Sequence, residues 1–307
     1  MIRKYLHKTL LFLVPVLLVL LAVEVFYRFV PNTYSTKKEI LDARGDEQIM
    51  ILGNSHSYYG LNPEFFNAQT INAANISQSL YFDRLVFEKY QPQYPNLNTI
   101  ILCVDYFTLS KTDDTNEDQW RKFYYEKYMD IEVPIVSSFE WGNYFLSSTR
   151  NVKTNVGLIR KYFEEGTLAD CDENGFGNSY TKDKRLVNFN DFAPQIVKKH
   201  EDGSLDFSQN QSRIQELATF CKSIGIKIIV VTMPVTKGYA QNVNPKKLRK
   251  IVETCKTLDF QNENVFYLNL FQDYRFNDSD FYDVDHLHTE GAQKCSEIMN
   301  DYLKNIK

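Results

Sequence analysis

The sequence predicts a doubly wound α/β fold, with five parallel strands and helices on both faces in three layers, behind an N-terminal membrane-spanning helix. Three observations carry that expectation. From Gln48 onward, short apolar runs alternate with segments of helical periodicity, the pattern of a parallel sheet covered on both sides. The run Asn98–Val104 is apolar enough for a strand buried on both faces. Ahead of these lies a stretch from Leu10 to Val23 that is apolar apart from a break at Pro15.

That stretch alone is short for a membrane span and has the length of a signal-peptide core. Continued through Val25-Phe26-Tyr27 to Phe29-Val30, it reaches about 20 residues, enough to cross a bilayer. Glu24 and Arg28, four residues apart, can pair near its boundary. No small-x-small cleavage site precedes Glu24, so an uncleaved anchor is favoured over a removed signal peptide. A buried helix of a soluble domain fits poorly with so few polar residues. Arg3, Lys4 and Lys8 put the N-terminus in the cytoplasm and the remainder outside it. The expected organisation is an anchor at 1–30, a polar stalk at 31–46 and an α/β domain at 47–307.

Within that domain Gln48–Leu52 is the first strand and Thr70–Ala73 a short second one. Ser79–Tyr90 has helical spacing of Leu80, Leu85, Val86 and Tyr90. Asn98–Val104 is the third strand. The alternation stops at about 108 and resumes after about 193, too long a gap for a plain loop. It reads as an inserted cap, with Asn151–Glu164 its best helix. Its aromatic residues Trp120, Phe123, Tyr124, Tyr125 and Tyr128 either stack on sugar rings or pack within the cap. Ser208–Ser223 is a helix ended by Gly225, and Ile226–Met233 is the fourth strand, stopped by Pro234. Pro245–Leu258 starts with Asn244 as cap and proline in its first turn. Val265–Leu270 is the fifth strand, and Thr289–Asn305 is the closing helix with Thr289 as its cap.

The 307 residues suffice for one large domain or two small ones. A net charge of −4 gives no basic face for nucleic acid. The five cysteines form no CxxC or Cys/His cluster, so neither zinc nor a disulfide framework is indicated. They read as small buried apolar residues; a Cys221–Cys255 bridge would join two neighbouring helices. No cofactor or metal is called for.

The chemistry sits at the two ends of the domain. Gly53-Asn54-Ser55-His56 follows the first strand, where an α/β sheet places functional groups. Taken alone it reads as a helix cap, since Asn and Ser both cap well. Asp283-Val284-Asp285-His286 follows the last strand, at the entry to the closing helix. An Asp three residues before a His can bond Nδ1–H and leave Nε2 free for a hydroxyl. Both pieces belong at the sheet's carboxyl edge, which favours Ser55 as nucleophile, His286 as base and Asp283 as its orienter. Asp285 and His288 are expected to be helix-entry charge and surface.

With these residues in place, the arrangement resembles the SGNH (GDSL-like) hydrolases. Gly53-Asn54-Ser55-His56 is similar to their first block and Asp283-x-x-His286 to their last. Ile71 to Ser79 is similar to the second block of the membrane-anchored, cell-envelope branch. The resemblance implies a flavodoxin-like three-layer fold and a serine acylated by an ester. It also implies an oxyanion hole from the backbone N–H of Ser55, with Ser77 at the second block's usual glycine. The third block's asparagine is missing: the matching strand exit reads Cys103-Val104-Asp105, so either another group, Asn75 or Asn54, replaces it, or the catalyst is weak or specialised.

Envelope members of this group add or remove acyl groups, mostly acetyl, on polysaccharides. The resemblance therefore implies an O-acyltransferase or esterase with a glycan or small acyl ester as substrate. It also implies a multi-spanning membrane acyltransferase as a partner for some members. The contrasting expectation is a catalytically silent envelope scaffold that binds glycan or that partner. The missing asparagine favours it, and the intact Ser55, Asp283 and His286 oppose it.

Overall fold

The computed structural model describes residues 2–111 and 118–306. They fall into two compact units, Met1–Lys38 with Asn116–Ala169, and Glu39–Thr115 with Asp170–Lys307. In chain order the first elements are α1 (Ile2–Phe29), α2 (Thr33–Asp42), β1 (Ile49–Leu52), α3 (Ser55–Gly60), β2 (Thr70–Asn72) and α4 (Leu80–Tyr90). β3 (Thr99–Cys103), α5 (Arg121–Tyr128), α6 (Val152–Glu165), α7 (Ala193–His200) and α8 (Ser208–Ser223) follow. The chain ends with β4 (Lys227–Thr232), α9 (Lys237–Asn242), α10 (Pro245–Gln261), β5 (Val265–Asn269) and α11 (Thr289–Asn305).

The second unit is an α/β domain around a five-stranded parallel sheet of order β2-β1-β3-β4-β5. Met50 lies opposite Ile71 on one side and Ile100 on the other, and Ile101 lies opposite Ile229. β1 and β3 are buried along their whole length, as their unbroken apolar runs require. β5, at one sheet edge, is only partly covered. The chain leaves β1 toward β2 on one side and returns to β3 on the other. The carboxyl ends of β1 and β3 therefore flank the point where strand order reverses, the usual ligand crevice of such sheets.

Local signals place the helices. Asn244 accepts the Lys246 N–H and Pro245 opens α10. α11 begins at Thr289, but its cap is His288 rather than Thr289. The imidazole Nδ1 of His288 accepts from the N–H groups of Glu290 and Gly291, and the ring is buried, not on the surface as expected. Cys103, Cys221, Cys255 and Cys295 are buried and free, so Cys221 and Cys255 form no bridge.

In the first unit α1 is long and apolar enough to cross a membrane, and none of its apolar window is buried by protein. Its last turn is different. Tyr27 is buried, its hydroxyl donates to the Asn155 side chain, and its carbonyl accepts from the Tyr128 hydroxyl. Segment 31–46, expected as a polar stalk, contains α2, started by Asn32 accepting from the Tyr34 N–H. The aromatic residues of α5 pack against one another and against α1 and α2: Tyr124 meets Tyr27, Tyr34, Trp120 and Tyr128 edge-on. That is the packing alternative. α6 is capped by Asn151 and ends at Gly166 in the left-handed conformation.

Candidate active site

All the residues that follow belong to the second unit. β1 ends in a turn that only glycine fits, because Gly53 has φ +125° and a Cβ there would lie 2.4 Å from that of Cys103. The Gly53 N–H donates to the buried carboxyl of Asp83 at 2.7 Å, which the Gln78 amide also holds at 2.7 Å. Burial pushes the Asp83 carboxyl up to about 7 against the effect of those two donors. Asn54 then caps α3, its side chain accepting the His56 N–H at 2.8 Å, and Ser55 is the first helical residue.

The far end of the chain returns to this turn. His286 Nε2 lies 2.9 Å from Ser55 Oγ, and Nδ1 lies 3.0 and 3.1 Å from the two oxygens of Asp283. Asp283 is itself fixed, accepting the backbone N–H groups of Asp285 and His286. Ser55, His286 and Asp283 thus form one continuous chain of contacts. Burial works against a charged His286, but Asp283 and then Asp285 override it and hold its proton well above the ordinary histidine range. While the ring holds both protons its Nε2–H donates to Ser55; on losing that proton Nε2 becomes an acceptor.

Asp285 is not surface charge. It is buried, with one oxygen 3.4 Å from His286 Nδ1 and the other 3.0 Å from Nε2 of a second buried histidine, His56. His56 Nδ1 lies 2.8 Å from Asp105, a close but bent ion pair. A ring facing a carboxylate through each nitrogen is protonated at both. Burial disfavours that charge, yet Asp105 and Asp285 push His56 up to about 9. In turn the imidazolium rings overcome burial and hold Asp105 and Asp285 below the usual carboxylate range. His200, 3.7 Å from Asp285, goes the other way: burial pulls it down to about 4 and keeps it neutral.

The expected oxyanion donors divide. Ser77 keeps the left-handed backbone of the glycine it replaces, φ +56°, and its carbonyl accepts from Lys111 Nζ at 3.3 Å. Asn75 is buried, and its backbone N–H donates to the Gly53 carbonyl, beside the nucleophile turn. Its Oδ1 accepts from the Ile76 N–H, while Nδ2 is buried without a partner. Asn54 is not available, since its Nδ2 donates to Asp105 at 3.1 Å. At the third strand's exit Asp105 accepts from the Met233 N–H and pairs with His56.

Sequence reasoning missed the wall beside His286. Tyr59, Tyr180 and Tyr282 stack in that order, with ring centroids 3.8 and 3.9 Å apart, and the edges of Tyr59 and Tyr180 meet the imidazole. Tyr180 comes from the segment read as insertion and carries no local signal. Among the described residues His56, Asp285 and His286 come nearest to a metal set, their ligand atoms lying within 4.8 Å of one another. A cation there would have to displace protons held between imidazole and carboxylate, so the donor set does not favour one.

No family model matches the chain, and no curated protein does. Among solved structures it is similar to one provisionally named a platelet activating factor from Streptococcus pneumonia. The two are 13% identical with a TM-score of 0.42, over 88% of this chain and 91% of that one.

Proposed function

We propose that the chain is a serine-dependent O-acyltransferase or esterase of the SGNH type. The observation that carries this reading is the contact of Ser55 Oγ with His286 Nε2 at 2.9 Å, with Asp283 on the ring's other nitrogen. Strand order 2-1-3-4-5 is that of flavodoxin-like doubly wound sheets and supports a three-layer arrangement. With His286 neutral, Ser55 Oγ attacks an ester carbonyl while Nε2 takes its proton. The alcohol leaves with that proton, and the acyl group remains on Ser55. Water or a sugar hydroxyl then attacks the acyl-serine, with His286 again the base. The Asn75 amide and the Ser55 N–H are the proposed donors to the oxyanion. α1 anchors the chain, with the α/β unit on the non-cytoplasmic side, where envelope polysaccharides are the expected acceptors.

The test is covalent labelling. The full chain in detergent should take up a serine-reactive fluorophosphonate at one site, and Ser55→Ala should abolish it. An acetyl-ester donor should leave an acetyl group on Ser55 detectable by mass spectrometry. Equal labelling of wild type and Ser55→Ala overturns the assignment. Truncation to test the anchor should stop before Glu24, because the last turn of α1 is packed into the first unit.

A further inference from the structure

We propose that the exposed aromatic surface of the first unit lies in the headgroup region of the bilayer that α1 crosses, on the side of its C-terminal end. The inference rests on reading α1 as a span and adds a second membrane contact to it.

Where protein first grips α1 sets the depth. The Glu24 carboxylate accepts the N–H groups of Leu146 and Ser147 at 3.2 and 2.9 Å. Arg28 donates to the Tyr144 carbonyl at 2.7 Å and pairs with Glu24 at 2.9 Å. Tyr27 binds Asn155, which also donates to the Ser147 carbonyl, and Phe26 meets Tyr162 edge-on. These contacts tie residues 144–147 and α6 to one and a half turns of α1. A hydrocarbon core about 30 Å thick takes about 20 residues, so a span beginning near Thr9 ends at these turns. The attached segments therefore start at the level of the lipid headgroups.

What they expose fits that level. Phe139 is 93% exposed and Trp141 74%, with Phe145 beside it at a ring distance of 6.0 Å. α6 has no buried residue at all. Its Val152, Val156 and Phe163 fall within about 40° of one another around the helix, as 100° per residue dictates, and Phe163 is 81% exposed. A helix with an uncovered apolar stripe is a poor solution in water. At a bilayer surface the same stripe is buried among acyl chains, and Trp sits where its ring is half apolar and half wet. The basic residues of α6 are mostly matched by acids, Arg160 with Glu164 and Lys161 with Glu165. The contact is therefore apolar and should not need anionic lipid.

The test uses the full chain in phosphatidylcholine vesicles, with Trp120→Phe making Trp141 the single reporter. Lipid brominated near the headgroup should reduce its emission by about half, and lipid brominated near the chain end far less. The same result should appear as the difference between wild type and Trp141→Phe, which leaves the packed Trp120 untouched. A control carrying Leu18→Trp with both native tryptophans changed to Phe should be quenched from the chain end. If Leu18→Trp is quenched and Trp141 is not, remaining open to aqueous iodide, the surface proposal fails while the span stands, and a protein partner becomes the occupant. If Leu18→Trp is not quenched either, the span reading fails and takes the proposal with it.

Discussion

Replacing His56 by glutamine should shift the pH dependence of Ser55 reactivity to higher pH, although His56 does not touch Ser55 in the structure's hydrogen-bond chain. The two imidazole centroids are 4.9 Å apart, and both rings face the same carboxylate, Asp285. A positive charge on His56 opposes a second one on His286. At 4.9 Å that repulsion amounts to about 3 kcal/mol with an effective dielectric of about 20, and to a little under 1 kcal/mol in bulk water. Its loss stabilises the proton on His286, which must leave before the ring can act as base. The alkaline-going limb should therefore move up by between about 0.6 and 2.5 pH units. The assay is the second-order rate of fluorophosphonate labelling from pH 6 to 10. A limb that stays within about 0.3 of wild type, or moves toward acid, refutes the reasoning. Removing His56 also leaves Asp105 buried without its counter-ion and Asp285 with His286 alone, a change that typically costs about 3–5 kcal/mol. Should the variant not fold, nitrogen NMR of the wild type decides instead: His56 must keep both ring protons at pH 7 and lose one only near pH 9.

Three further outcomes follow from the same geometry. Asn75→Ala should lower the labelling rate by about 10²–10³ if its unpaired amide meets the oxyanion, and a change within about twofold would exclude it. Asp83 is held up to about 7, so it favours the folded state most below about 3.8, and that contribution is lost as pH rises through 7. Asp83→Asn should remove this decline, on the order of 4 kcal/mol across the window, in urea unfolding curves taken from pH 4 to 8. Gly53→Ala combines a φ of +125° with a 2.4 Å approach to Cys103 and should cost on the order of 3 kcal/mol or more, read as a lower urea midpoint.

The parts of the site legible in the sequence are those whose signal is local. Gly53 after an apolar run announces a strand exit. An Asp three residues before His286 can reach its ring from one turn, and the structure places it there. The rest depends on residues 56, 105 and 285 meeting across the sheet edge, and nothing in the neighbourhood of any one of them says so. Asp285 reads as ordinary helix-entry charge until β3 and β1 bring Asp105 and His56 to it. A polar signal did exist, since Asp105 and His56 lie two and four residues past the apolar strands β3 and β1, where charge is expensive to bury. The α2 helix went unread because its composition is polar and one of its three buried residues, Tyr34, Lys37 and Leu41, is a lysine.

The missing asparagine at the third strand's exit now has a physical account. Asp105 there cannot serve as an oxyanion donor, because an ionised carboxylate accepts and does not donate. Nor can it stand alone: it is buried, and an unpaired charge in that position would simply take up a proton. His56 supplies the counter-charge at 2.8 Å, and the Met233 N–H, the Asn54 amide and the Cys103 thiol donate to it as well. The exchange reaches further than that pair, because the same His56 is bonded to Asp285 and Asp285 faces His286. Three carboxylates, Asp105, Asp285 and Asp283, surround the two rings His56 and His286, so the proton His286 must release is one the whole cluster helps to retain. On the proposed reading such a catalyst gives up one neutral donor to the substrate oxygen and has a base linked through Asp285 to His56. On that reading its optimum should accordingly shift to the alkaline side of the ordinary histidine range, where His286 has lost its proton.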